Sequence, residues 1–217
     1  MTDTSTRTRI IDALMALLAE RPIESVGLAD VASKAGVSLA DMRGEFSSVM
    51  GILAAHVKET DRKVLSGAGD DTGEESVRDK LFDVLMRRLE ALTPHKAAIK
   101  SLVRSISRNP GLAMALNGLG IRSQLWMMTA AGIKTTGPKG MVRAQALNLL
   151  FARVVCTWVN DDDPGLARTM AALDRELARG ARWSGFLDDL FCIPQIFARR
   201  RWRARRRPAA EDDVIAV

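Results

Sequence analysis

Apolar residues recur at helical spacing along almost the whole chain. Residues 5–20 place Ile10, Ile11, Leu14, Leu17 and Leu18 on one face, and Pro22 ends the predicted helix because it cannot continue the hydrogen-bond ladder. Residues 28–46, LADVASKAGVSLADMRGEF, read as two short helices around a tight turn, Ala35-Gly36-Val37-Ser38. Leu28, Val31 and Ala32 fall at helical spacing before that turn, and Val37, Met42 and Phe46 follow it. Gly36 supplies the residue that takes a positive φ cheaply, and the Ser38 hydroxyl can cap the second helix. Ser47 or Ser48 then opens a longer helix containing Met50, Ile52, Leu53 and Val57.

A glycine-rich, acidic break, SGAGDDTGEES, separates these elements from the rest. Residues 75–92 resume the pattern with Val77, Leu81, Val84, Leu85 and Leu89 on one stripe. Thr93-Pro94 marks the start of a helix that runs to Asn109-Pro110, and another spans Leu112 to about Ala131. Residues 132–140 read as a loop. Residues 141–160 align Ala144, Leu147, Phe151, Val154, Val155 and Trp158. Asp163 is placed to cap a last strong helix with Pro164 in its first turn, and residues 165–179 align Leu166, Met170, Leu173 and Leu177. No segment alternates as a strand does, so the expected fold is all-α.

Two short helices around a glycine turn form a helix-turn-helix, whose second helix can lie in a DNA major groove. Ile10 to Glu20, the break Arg21-Pro22, Val31-Ala32, the turn Ala35-Gly36-Val37-Ser38 and Phe46 together resemble the N-terminal pattern of the TetR family of bacterial transcriptional regulators. The resemblance implies a helix-turn-helix domain over residues 1–50, a helical ligand-binding and dimerisation domain over 51–194, and a basic tail over 195–217. Lys34, Ser38, Leu39, Ala40, Asp41, Met42 and Arg43 would contact double-stranded DNA. The last two helices of each subunit would form a four-helix homodimer interface, here through Leu147, Phe151, Val154, Trp158, Met170, Leu173 and Leu177. Two-fold symmetry would present two recognition helices to a palindromic site, and a bound ligand would change their spacing. Met114, Asn117, Arg122, Trp126 and Met127 are the candidate lining of the pocket, for a small apolar ligand or lipid.

The chain departs from the family pattern at several phosphate-contacting places. Gly27 stands where a Thr or Ser usually caps the second helix, Leu39 where a basic residue often follows the turn, and Val49 where a Lys usually opens the fourth helix. Arg43 occupies the place of the usual Tyr, and the chain has no tyrosine. Its guanidinium binds phosphate well.

Charge sharpens the picture. Residues 1–50 hold five cations, Arg7, Arg9, Arg21, Lys34 and Arg43, against seven acidic residues. Phosphate neutralisation carries most DNA affinity, so an acidic reading domain is handicapped. The formal net charge of +6 comes largely from the tail, where seven arginines crowd into residues 199–207. Interleaved with Phe197 and Trp202, residues 195–207 suit an anionic membrane surface, non-specific nucleic-acid contact or a solvated tail. Residues 158–183, centred on Trp158, Asp162, Thr169, Met170, Leu173, Asp174 and Leu177, also resemble the coenzyme Q biosynthesis lipid-binding proteins. That resemblance implies the same fold used for lipid binding at a membrane, without DNA.

The remaining features narrow the class. An apolar fraction of 47% supports a buried core, and no apolar run reaches membrane-spanning length. The polar N-terminus lacks a signal-peptide core, and Cys156 and Cys192 read as reduced, packed thiols, so a cytoplasmic location is expected. His56 and His95 lack metal-ligand spacing, and no phosphate loop or nucleophile motif occurs, so neither enzyme activity nor a metal or cofactor is expected.

Overall fold

The computed structural model describes residues 4–67 and 76–180. Nine α-helices and no strand occur among them. They are α1 (Thr4–Glu20), α2 (Leu28–Ala35), α3 (Leu39–Glu45), α4 (Val49–Ser66), α5 (Val77–Leu92), α6 (Lys96–Ile106), α7 (Pro110–Ala130), α8 (Gly137–Trp158) and α9 (residues 167–180). The glycine-acidic break at 68–75, Cys192 and the arginine-rich tail lie outside the described residues.

Two apolar clusters organise the helices. The first gathers Ile10, Leu14 and Leu18 of α1, Val31 and Ala32 of α2, Met42 of α3, Phe46, and Ile52 and Leu53 of α4. Ala98 and Leu102 of α6 close this cluster, so it is not built from the first fifty residues alone. Full burial of each large aliphatic side chain is worth about 1.5–3 kcal/mol, enough for packing rather than propensity to hold a seven-residue helix such as α3. The second cluster joins Val64 of α4, Leu85 and Leu89 of α5, Met127 and Met128 of α7, Phe151, Val154 and Trp158 of α8, and Leu173 of α9. Helix α4 contributes to both and thereby links them.

Helix α7 packs more extensively on α8 than on any other element. An amide network crosses that contact: Asn148 Nδ2 donates to Asn117 Oδ1 at 2.8 Å, and Asn117 and Gln145 exchange hydrogen bonds at 3.0 and 3.1 Å. Gly120 makes room for the Asn148 side chain, which a Cβ there would strike.

The last two helices begin elsewhere than the sequence pattern suggested. Residues 137–140 are helical, not loop, because proline is accommodated in the first turn of α8. Helix α9 begins at residue 167, because Asp163 and Pro164-Gly165 build a turn instead of a cap and first helical residues. Asp163 Oδ1 accepts from Gly165 N at 3.1 Å, and Leu166 takes a positive φ of 51°. The buried Asp161 does the anchoring: its Oδ2 accepts from Thr169 Oγ1 at 2.6 Å and Thr169 N at 2.9 Å. Those bonds, the hydroxyl first, hold its carboxyl below the usual range.

Candidate nucleic-acid interface

The α2–turn–α3 unit is fixed by local chemistry. Gly36 ends α2 in the left-handed region, φ 64° and ψ 42°. The Arg9 guanidinium donates to the carbonyls of Ala35 at 2.6 Å and Gly36 at 2.9 Å, covering the open end of α2. Ser38 then caps α3. Its Oγ accepts from Asp41 N at 3.0 Å, while Asp41 Oδ2 accepts from Ser38 Oγ at 2.6 Å and from Ser38 N at 3.3 Å. At α2, Gly27 has no side chain to cap with, but Asp30 Oδ2 accepts from Gly27 N at 2.8 Å. That bond, then the Arg21 guanidinium, holds the Asp30 carboxyl below its ordinary range.

Helix α3 turns Leu39, Ala40, Asp41, Arg43 and Gly44 outward. Leu39 is 61% exposed, an unusual place for a large aliphatic side chain. Met42 is a correction to the expected contact set: it is 1% exposed and packs in the first cluster, so its side chain does not reach a partner. Lys34 is exposed but engaged with Glu20 Oε1 at 3.0 Å. Arg7 lies over the Phe46 ring and pairs with Glu45 at 3.4 Å, and Arg21 pairs with Asp30 at 3.1 Å. Of the five cations in residues 1–50, Arg43 alone makes no hydrogen bond or ion pair among the described residues.

The expected ligand-pocket residues do not converge. Met114 is 77% and Trp126 59% exposed on the outer face of α7, and Arg122 is exposed there too. Met127 is packed core and Asn117 is committed to the amide network. A different set of polar groups is buried nearby. Arg88 of α5 donates to Asp61 Oδ1 of α4 at 2.5 Å and to the Ser123 hydroxyl of α7, which donates to Asp61 at 2.7 Å. Arg88 also faces the Phe151 ring at 5.4 Å. Burial pushes the Arg88 guanidinium down, against the opposing pull of Asp61. Arg88 Nε, Gln124 Oε1 and His56 Nε2 are buried without a hydrogen-bond partner. His56 and His95 meet edge to face at 4.9 Å. Sequence spacing gave no sign of these contacts, which join positions 27 to 62 residues apart.

The expected dimer stripe is likewise corrected. Leu147, Phe151, Val154, Trp158, Leu173 and Leu177 are buried inside their own chain, so they have no surface to offer a second copy. Met170 differs, being 42% exposed. The open side of α8 carries Val142, Ala146, Leu149, Ala152 and Cys156, and that of α9 carries Ala167, Met170 and Ala171. Cys156 is therefore an exposed thiol, not a packed one.

Solved structures share this arrangement. A TetR transcriptional regulator from Nitrosomonas europaea ATCC 19718 superposes with a TM-score of 0.62 at 20% identity, over 81% of this chain and 97% of that one. The fold is TetR-like. A TetR transcriptional regulator from Rhodococcus sp. RHA1 gives 0.57 at 22% identity, over 81% and 95% of the two chains. A TetR-family regulator from Syntrophomonas wolfei gives 0.57 at 11% identity, over 81% and 93%. No protein-family model matches the sequence, and no curated protein does. In this TetR-like frame the start of α4 packs with α1–α3 in the first cluster, and its end packs with α5 and α7–α9 in the second. No described helix is long and apolar enough to cross a membrane, and the described residues contain no cluster of three or more metal-ligating side chains.

Proposed function

We propose that the chain is a DNA-binding transcriptional regulator that works as a homodimer on a palindromic site and releases it when a ligand binds the larger helical body. One observation carries the reading. A rigidly capped α3 holds Leu39, Ala40 and Arg43 outward, on a fold shared with solved TetR regulators. A recognition helix must be fixed in orientation before its side chains can discriminate bases, and the Gly36 turn, the Ser38–Asp41 pair and the Arg9 bonds supply that fixation.

Two further features support dimerisation and ligand response. The open faces of α8 and α9 carry the small and apolar residues Val142, Ala146, Leu149, Ala152, Ala167, Met170 and Ala171, flanked by Arg153, which pairs with Glu176, by Asp174, which pairs with Arg78, and by Arg168 and Arg175. A second copy would cover Leu149 and Met170, exposed by 52% and 42%. A ligand entering between α4, α5 and α7 would meet the unpartnered groups of Arg88, Gln124 and His56. Because α4 runs from the reading head into that region, a shift there would alter the separation of two heads, which must match one helical turn, about 34 Å.

The test is selection of bound duplexes from a random pool by the full chain at low ionic strength. The proposal expects an enriched inverted repeat whose half-sites lie one turn apart. Unenriched pools after repeated rounds would overturn it.

A further inference from the structure

Helix α3 has two flanks of opposite chemistry. Asp41 and Glu45, four residues apart, share the flank facing α1 and line a recess of about 480 Å³ with Thr6, Arg9, Val37 and Gly44. Both acids are already used. Asp41 is bonded back to Ser38, and Glu45, with its side chain only 12% exposed, pairs with Arg7. These bonds engage one oxygen of each carboxylate and fix its orientation toward the protein, so turning either group to a cytosine amino group would work against them. Leu39 and Arg43, also four residues apart, share the other flank. Both are exposed, and Arg43 has no partner among the described residues. Between the flanks sit Ala40 and Gly44. A Cβ added at Gly44 would meet nothing within 4 Å, so the centre of the face is shallow enough for close approach to base edges.

Resting on the regulator reading, we infer that each half-site is read as a thymine methyl against Leu39 and Ala40 and a guanine edge against Arg43, and that the acidic residues of α3 read no base. The chemistry matches part by part. An exposed aliphatic side chain finds apolar surface in the major groove only at the thymine methyl, and a free guanidinium forks onto guanine O6 and N7. The acids serve the protein's own geometry. Four residues of helix rise about 6 Å, close to two base-pair steps, so guanine and thymine fall within roughly two steps of each other.

The test uses the full chain and the duplex it selects, with single-atom changes in the DNA so that protein folding is not at issue. Replacing thymine by uracil at the enriched positions should weaken binding about fourfold per methyl lost. Leu39→Ala should narrow the difference between the two duplexes, because only Ala40 still meets the methyl. Replacing the guanine by 7-deazaguanine, or Arg43→Ala, should weaken binding by about fivefold or more and relax preference at that position. Glu45→Gln should leave every base preference in place. Equal binding of thymine and uracil duplexes, or an enriched cytosine whose preference vanishes in Glu45→Gln, overturns the inference while leaving the regulator reading intact. Failure to select any site removes both.

Discussion

Substituting Asp61 by Ala should be among the most damaging single changes in the helical body. The side chain is about 10% exposed, and its Oδ1 receives both the Arg88 guanidinium and the Ser123 hydroxyl. Removing it leaves a guanidinium, itself 6% exposed at the side chain, without its counter-charge. Breaking a buried pair in this way typically costs about 3–5 kcal/mol, a large part of the roughly 5–15 kcal/mol that holds most folds. For a chain of this size each kcal/mol moves Tm by about 2–4 °C, so a fall of roughly 6–20 °C is expected. The double variant Asp61→Leu with Arg88→Met removes both charges at similar volume and should recover most of the loss. Urea titration of both single variants and the double variant, followed by circular dichroism, gives the coupling energy. A loss under about 1 kcal/mol for Asp61→Ala, or a double variant no more stable than either single one, would refute the claim that these charges are mutually dependent.

Other outcomes follow from the same packing. Burial, then His95, Lys63 and Arg88, pushes His56 down from 6.5 to about 4. The unfolded chain therefore binds a proton that the folded one refuses, so this stability is present above pH 6.5 and lost as the pH falls toward 4. Between pH 7 and 5 the loss should be roughly 2 kcal/mol in urea titrations, and His56→Phe should flatten that slope; an unchanged slope contradicts the assignment. Gly118→Ala, into open space on α7, should stabilise by about 0.5–1 kcal/mol, whereas Gly140→Ala drives a Cβ into the Thr135 backbone and should cost about 1–3 kcal/mol. Thermal melts showing the same sign for both would be inconsistent with the packing described. Leu149→Asp should turn the proposed homodimer into a folded monomer in sedimentation velocity, and a retained dimer would contradict the proposed α8–α9 interface.

The helix-turn-helix was legible in sequence because its signals are local. A glycine at the left-handed position, a serine three residues before an aspartate and apolar residues at helical spacing all act within one or two turns. The surfaces proposed to meet a second copy or a ligand were less legible for a physical reason. Periodicity marks the face that is buried, and it does not say which chain buries it. Leu147, Val154 and Trp158 therefore stood out on α8, although they belong to the chain's own core. The open face, with Ala146, Ala152 and Cys156, carries small residues that give a weak signal. Helix α7 is apolar on opposite sides, with Trp126 outside and Met127 inside, so its pattern could not assign a pocket wall. Asp61, Arg88 and Ser123 come from three helices, and only tertiary packing brings them together.

The central claim is that a capped α3 discriminates DNA sequence through a face on which Arg43 is the free cation among the described residues. The most direct measurement is the ratio of affinities for the selected duplex and a scrambled duplex of equal length, taken at one ionic strength by fluorescence anisotropy. The account predicts a ratio of about 10³ or more for the native chain, falling at least about fivefold in Arg43→Ala. Equal affinity for both duplexes, or a ratio indifferent to Arg43, would contradict it.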